Sequence, residues 1–301
     1  MEELEELFEK VKEKKPLDFL SQFIAPHLIG EEWADIRKAI LLMMATRNDG
    51  AQRMRLHTLL WGAAGTGKSE LLLALQEIFG GIIVNAEHTS KVGLVGDARG
   101  GMTAGLLADY DENLVLLDEL DKMSGKDMNG LLQAMEEGAY TIVKGKHRER
   151  FKAEVRVVAT ANNINKITKP LLDRFDFIFK VKTMPREERA KGVKTIVENF
   201  FGENTKMGIN VLREYLKWID DGTAYIKEED TPVVINMLKK YILLTKTAID
   251  EVSYRNLELS ILRIAYAMAK LEKKNISTHH VEEAIIFKDR MLRRLVGEIE
   301  K

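Results

Sequence analysis

Up to residue 184, short apolar runs alternate with amphipathic stretches; beyond it, helical periodicity alone remains. The runs at 56–61, 82–85, 113–118, 139–144, 151–160 and 176–181 predict strands, several of them fully buried. The stretches at 31–46, 68–79 and 128–137 predict helices; Ile36, Ile40, Leu41 and Met44 share one face of the first, and Gly80 is placed to stop the second. Strands alternating with helices argue for an α/β fold with a parallel sheet. Asn48-Asp49-Gly50 is a turn signal. Gly145-Lys146-His147-Arg148-Glu149-Arg150, lying between two predicted strands, reads as the charged tip of a hairpin. The glycine-rich stretch 88–108 fits no period and reads as a long functional or mobile loop. After Pro185 only helices are expected, at 232–250, 254–273 and 278–298, with Thr231-Pro232 as a cap-then-proline start. Asp220-Asp221-Gly222 reads as a hinge. At the other end, residues 1–15 place Leu4, Leu7, Phe8 and Val11 at helical spacing before Pro16 breaks the run. That helix packs on its own domain or serves a partner.

Composition narrows the class. Apolar residues make up 45% and charged residues 31% of the 301-residue chain, as in a globular protein of one or two domains. The formal net charge of −1 supplies no overall basic field, so contact with nucleic acid requires a local patch. The absence of cysteine excludes disulfides and cysteine-ligated metal sites, and the six histidines, His279-His280 among them, show no metal-ligand spacing. No membrane-length apolar run or leader-like segment stands out, so the expected location is cytoplasmic, or nucleoid-associated in a prokaryote.

The chemistry centres on Gly62-Ala63-Ala64-Gly65-Thr66-Gly67-Lys68-Ser69, set between a predicted strand and a predicted helix. Glycines at this spacing let backbone N–H groups turn inward around a triphosphate. Lys68 adds a charge for the β and γ phosphates, and Ser69 a hydroxyl for Mg²⁺. The helix N-terminus then faces the anion. The apolar run 114–117 delivers Asp118, suited to Mg²⁺, and Glu119, suited to polarising an attacking water. The strand Val157-Val158-Ala159-Thr160-Ala161 ends in Asn162, whose amide can orient that water. Arg174, just before a strand, suits a finger reaching a neighbour's nucleotide or a surface ion pair. Arg255, opening a late helix, is a γ-phosphate reader or an ordinary surface arginine.

In this order the elements resemble the AAA+ ATPases, and more narrowly the ATPase core of the minichromosome maintenance (MCM) helicases, over residues 17–295. The likeness rests on Ile24-Ala25-Pro26 with Gly30, Asp118-Glu119-Leu120-Asp121-Lys122-Met123, Ala134-Met135-Glu136, Ala161-Asn162, Leu171-Leu172-Asp173-Arg174-Phe175-Asp176 and Arg255-Asn256-Leu257-Glu258. The resemblance implies a parallel five-stranded sheet between helices over 17–184, a helical linker over 185–231 and an all-α lid over 232–301, after a charged helix at 1–16. It implies Lys68 and Ser69 as the Walker A pair, Asp118 and Glu119 as the Walker B pair and Asn162 as sensor 1. Arg174 becomes the arginine finger and Arg255 the sensor 2 arginine, both acting on a neighbour's nucleotide, and Ile29 lies near the adenine. The assembly implied is a hexameric ring with ATP and Mg²⁺ between subunits.

Two inserts of this branch match 89–108, in the second helix, and 139–155, a hairpin before sensor 1. In the family the hairpin touches DNA, which makes Lys144, Lys146, Arg148 and Arg150, with Lys152 beyond them, the candidate contacts. Glu154 stands where the family usually has arginine, and Gly67 where it commonly has alanine. The family's N-terminal oligonucleotide-binding and zinc region and its winged-helix tail have no counterpart in this sequence. The expected function is an ATP-driven motor that translocates on or unwinds DNA. The alternatives are a chelatase-like protein remodeller, or a non-catalytic paralogue acting as a scaffold.

Overall fold

The computed structural model describes residues 2–48, 53–97, 103–144, 146–201, 203–220, 222–244, 253 and 255–299. Its contacts divide the chain into two compact units, one of Arg47–Thr183 and one that joins Met1–Thr46 to Met184–Lys301.

The first segment of the helical unit holds α1 (Glu2–Glu13), α2 (Pro16–Ser21) and α3 (Glu31–Met44). Lys15 takes a left-handed conformation before Pro16, which occupies the first helical position of α2, where a missing N–H costs nothing. On α1, Phe8 and Val11 are buried; Phe8 stands edge-on to Tyr215 at 5.5 Å and tilted against Trp218 at 5.6 Å. Of the two readings of this helix, packing on its own domain is the one observed. Phe8→Ala is expected to lower the stability of this unit by about 3 kcal/mol, seen as a lower urea midpoint; an unchanged midpoint would mean that α1 packs too loosely to matter.

The α/β unit begins with β1 (Thr58–Trp61) and α4 (Lys68–Phe79), which ends at Gly80 (φ 75°). β2 (Ile82–Asn85), α5 (Lys91–Val95), β3 (Gly96–Asp97), β4 (Thr103–Ala104), α6 (Leu106–Asp109) and β5 (Leu114–Asp118) follow. Next come α7 (Gly125–Glu137), β6 (Ala139–Lys144), β7 (His147–Lys152), β8 (Arg156–Ala161), α8 (Lys169–Leu172) and β9 (Phe177–Lys180). Five strands form one sheet in the order β2-β5-β8-β1-β9, and every pairing in it is parallel. Parallel strands are covered on both faces, which is why β5 and β8 read as continuous apolar runs: Leu114 to Leu117 and Val157 to Ala161 are all buried. Trp61 pairs with Ala161, and Asn85 with Asp118. The chain segments that leave β1, β5 and β8 therefore emerge at one end of the sheet, where open α/β sheets bind ligands.

Three expectations for this unit need correction. The stretch 88–108 is not a bare loop. Its apolar positions Leu94 and Leu107 are fully buried, which orders α5, α6 and a two-stranded ribbon around residues 98–102, themselves outside the described residues. The run 151–160 is not one strand. Ala153 N–H still pairs with Gly138 O at the end of the β6–β7 ladder, Glu154 N–H goes to Asp111 Oδ1, and the chain joins β5 only from Arg156, so β7 and β8 lie in different sheets. The hairpin tip is also shorter than expected. Arg148, Glu149 and Arg150 pair with Val143, Ile142 and Thr141, leaving Lys146 and the undescribed Gly145 at the turn.

The helical unit resumes with α9 (Arg186–Phe201), α10 (Glu203–Trp218), α11 (Thr231–Leu244), α12 (Ser260–Leu271) and α13 (Thr278–Ile299). α12 is its buried centre, entered through a π-helical turn at Arg255–Leu259. The stretch 185–231 is not a linker, because Leu212 and Tyr215 of α10, and Ile219 just after it, are buried completely or nearly so. The expected boundary at 17 also moves. α2 and α3 pack on α12, and Asp35 of α3 accepts from Arg290 and Arg294 of α13 at 2.7 and 2.9 Å, so residues 17–46 group with the helices. The expected turn at 48–50, the hinge at 220–222 and the helices over 232–250 and 254–273 each include positions outside the described residues.

Candidate nucleotide site

Residues 62–69 connect β1 to α4. Gly62 (φ 151°) sits so close to β9 that a Cβ there would lie 2.2 Å from the Val181 carbonyl oxygen, so only glycine fits. Gly65 (φ 76°) and Gly67 (φ 91°) supply the positive angles that wrap the loop. Lys68, 5% exposed, donates to the loop's own carbonyls at Gly62 (2.8 Å) and Ala63 (2.7 Å), and to Thr66 Oγ1 at 3.3 Å. Burial pushes its ammonium below the ordinary lysine range; Asp118, Asp121 and Glu119, in that order, act against the shift and favour the charged form.

The acids arrive from β5. Ser69 Oγ donates to Asp118 Oδ1 at 3.2 Å, across forty-nine positions of sequence. Thr160 of β8 donates its hydroxyl proton to the same oxygen and accepts the Glu119 N–H at 3.0 Å. One hydroxyl thus uses both its roles to fix two acids. Glu119 sits in a left-handed conformation (φ 57°), uncommon for a residue with a side chain and held here by its neighbours. Asn162 Nδ2 approaches Glu119 Oε1 at 3.4 Å. Asp121, nearly buried, accepts from the backbone N–H groups of Asn162 (2.9 Å) and Asn163 (3.1 Å), and so sets the end of β8.

Ala64, Gly65, Gly67, Lys68, Ser69, Asp118, Glu119 and Asn162 therefore line one open cleft with Glu70 and Thr160. Thr160 and Asp121 were not singled out by sequence reasoning. Both lie inside runs that were, but a threonine at a strand end and a third acid carry no distinguishing local pattern.

The remaining candidates lie elsewhere. Arg174 is in the α/β unit but does not line the cleft. Its Nη2 donates to Glu136 Oε2 at 2.7 Å and its Nη1 to Asp173 Oδ2 at 2.9 Å. Arg255, 8% exposed, and Ile29, half-buried beside Gly192, belong to the helical unit. On the hairpin, alternation puts Arg148, Arg150 and Lys152 on one face with Val143, while Glu149 and Phe151 share the other. Lys146, Arg148 and Arg150 are exposed; the side chain of Lys144 lies outside the described residues. Lys152 is held by Glu112 at 2.6 Å and Asp111 at 3.4 Å. Among the described residues no cluster of three or more acidic or imidazole ligands is poised for a metal, and no helix is long and apolar enough to cross a membrane.

A parallel sheet of this order, with a G-x-x-x-x-G-K-S loop after its fourth-placed strand and an acid pair at the end of β5, defines a P-loop domain of the AAA+ type. The family model of the MCM P-loop domain matches residues 3–200, and the chain belongs to that family. It is 25% identical to the minichromosome maintenance protein MCM of Saccharolobus solfataricus over 89% of this chain and 43% of that one. It is 30% identical to the DNA replication licensing factor MCM3 of Entamoeba histolytica over 59% of this chain and 34% of that one. Against the maternal DNA replication licensing factor mcm3 of Xenopus laevis it is 32% identical over 58% of this chain and 25% of that one. The chain thus spans less than half the length of these relatives.

Proposed function

We propose that the chain hydrolyses ATP and couples hydrolysis to movement on DNA, or to its unwinding, as a ring that binds ATP between subunits. The observation that carries this reading is a division of labour within one unit. Lys68, Ser69, Asp118, Glu119 and Asn162 converge on one cleft, while Arg174, the arginine-finger candidate in the same unit, stands apart from it. A site completed by an arginine from outside needs a second copy, and a repeated head-to-tail contact closes as a ring. Two of the relatives, those of Entamoeba histolytica and Xenopus laevis, are DNA replication licensing factors by name, in keeping with a site of action on chromosomal DNA.

The residues fit the ligands this function requires. The Ser69 hydroxyl and the Asp118 carboxylate lie side by side, a hard oxygen pair of the kind Mg²⁺ takes alongside phosphate oxygens. When bound there, Mg²⁺ neutralises charge on the phosphates. Lys68 supplies the fixed positive charge at the start of α4, and the loop amides with the helix N-terminus supply donors to the triphosphate. Glu119 polarises the attacking water and Asn162 orients it. Arg174 and Arg255 serve a nucleotide held by a neighbour, with Ile29 near the base.

The DNA contact is assigned to the basic residues of the β6–β7 hairpin: the exposed Lys146, Arg148 and Arg150, with Lys144. Single-stranded DNA is expected to raise ATP turnover, and Lys146→Ala with Arg148→Ala to remove that rise and weaken binding at low salt. A double variant that still responds fully to DNA would remove the hairpin from the path. No DNA affinity in the parent would favour a remodeller of proteins.

A further inference from the structure

The last turn of α7 carries acids at Glu136 and Glu137 and no basic residue, and Gly138 closes it in a left-handed conformation. A helix C-terminus is the negative end of the backbone dipole, so two carboxylates there are unfavourable unless cations gather around them. Three arginines do. Arg55 donates to the Ala134 carbonyl through both terminal nitrogens at 3.3 Å, Arg150 to Glu137 at 3.3 Å, and Arg174 to Glu136 at 2.7 Å.

The turn is also pinned from behind. Val157 N–H donates to His57 Nδ1 at 3.1 Å, so the ring proton sits on Nε2 and is donated to the Met135 carbonyl at 3.2 Å. His57 and Arg55 are both buried, and the backbone N–H of His57 donates to Asp176 Oδ2 at 3.1 Å. Asp176 closes the same short run that carries Arg174.

The two ion pairs differ in kind. The Arg150 side chain is 62% exposed, and a pair of that sort orders little. The Arg174 side chain is 17% exposed and gripped at both terminal nitrogens, by Glu136 and by Asp173. A long side chain fixed at both ends of its planar fork has lost its rotamer freedom before it meets any partner.

We propose that Glu136 is a positioning residue for Arg174: the pinned end of α7 presents the carboxylate that aims this guanidinium at a triphosphate held by a neighbouring subunit. The proposal rests on the reading of Arg174 given above. It assigns a use to Ala134-Met135-Glu136, a motif that the nucleotide cleft does not employ.

The test is ATP turnover and ATP affinity for Glu136→Ala, Glu136→Gln, Arg174→Ala and the double variant Glu136→Ala/Arg174→Ala. Glu136→Ala is expected to lower kcat about tenfold with ATP affinity unchanged, since a misaimed group loses rate and not ground-state binding. Glu136→Gln, which keeps an acceptor oxygen, recovers part of the loss. The double variant turns over no more slowly than Arg174→Ala alone, because the two act as one unit. Mixed with Lys68→Ala subunits, Glu136→Ala regains activity, which assigns its defect to the finger side of the interface. Parent-like turnover in Glu136→Ala beside an inactive Arg174→Ala would overturn this proposal and leave the reading of Arg174 intact. Turnover above the parent would overturn it too, since Glu136 would then restrain Arg174. Parent-like turnover in Arg174→Ala would sink the reading of Arg174 and this proposal with it.

Discussion

Glu119→Gln is expected to bind ATP with the parent's affinity and to turn it over about a thousandfold more slowly. The two effects separate because binding and chemistry draw on different groups. In the proposed mechanism the grip on the triphosphate belongs to Lys68, Ser69 and the loop amides, none of which the substitution touches. In the same mechanism Glu119 is the group that polarises the attacking water. Its backbone is held in a left-handed conformation with its N–H on Thr160, so the amide side chain stands where the carboxylate stood. The same oxygen position lies 3.4 Å from Asn162 Nδ2, which keeps the local geometry in the variant. What is lost is the base alone. Phosphate release measured at saturating ATP, beside a nucleotide-binding isotherm, checks this. Comparable turnover in variant and parent would remove Glu119 from the chemistry.

The second large effect concerns Arg174. Arg174→Ala alone is expected to lose about a thousandfold in kcat, the loss typical when a finger arginine is withdrawn from the transition state. Lys68→Ala alone is expected to be equally inactive, for want of a grip on the phosphates. Mixed in equal amounts and allowed to exchange, the two should recover activity. An interface whose loop comes from the Arg174→Ala subunit and whose arginine comes from the Lys68→Ala subunit has both groups intact. Random head-to-tail assembly makes about a quarter of interfaces of that kind. Recovery near that fraction, measured after confirming mixed assemblies by mass, supports an arginine donated across subunits. A mixed assembly without recovery would count against it, as would a parent that remains monomeric with ATP and hydrolyses it briskly.

Much of this was legible in the chain because it depends on local chemistry. G-x-x-x-x-G-K-S admits few backbones; the strand expected over 82–85 has those bounds, and the one expected over 113–118 runs from Leu114 to Asp118. The convergence of Lys68, Ser69, Asp118, Glu119 and Asn162 was readable too, since each follows a strand or opens a helix at the same end of the sheet. The errors arose where a backbone had a choice of partners. The run 151–160 has strand propensity throughout, yet Arg55 and Asp111 capture carbonyl and amide groups at 154–155 and split it between two sheets. The stretch 88–108 is glycine-rich, yet two buried leucines order most of it.

By itself, then, the sequence determined the parallel α/β core, the phosphate-binding loop and the acids that face it. Those follow from steric limits on glycine and from the need to bury apolar strands on both faces. Only the tertiary structure decided that residues 17–46 join the helices, that Thr160 and Asp121 set the acids and the strand end, and that Glu136 holds Arg174. These are pairings between groups far apart in sequence, chosen by which buried polar atoms needed partners, and no local pattern encodes them.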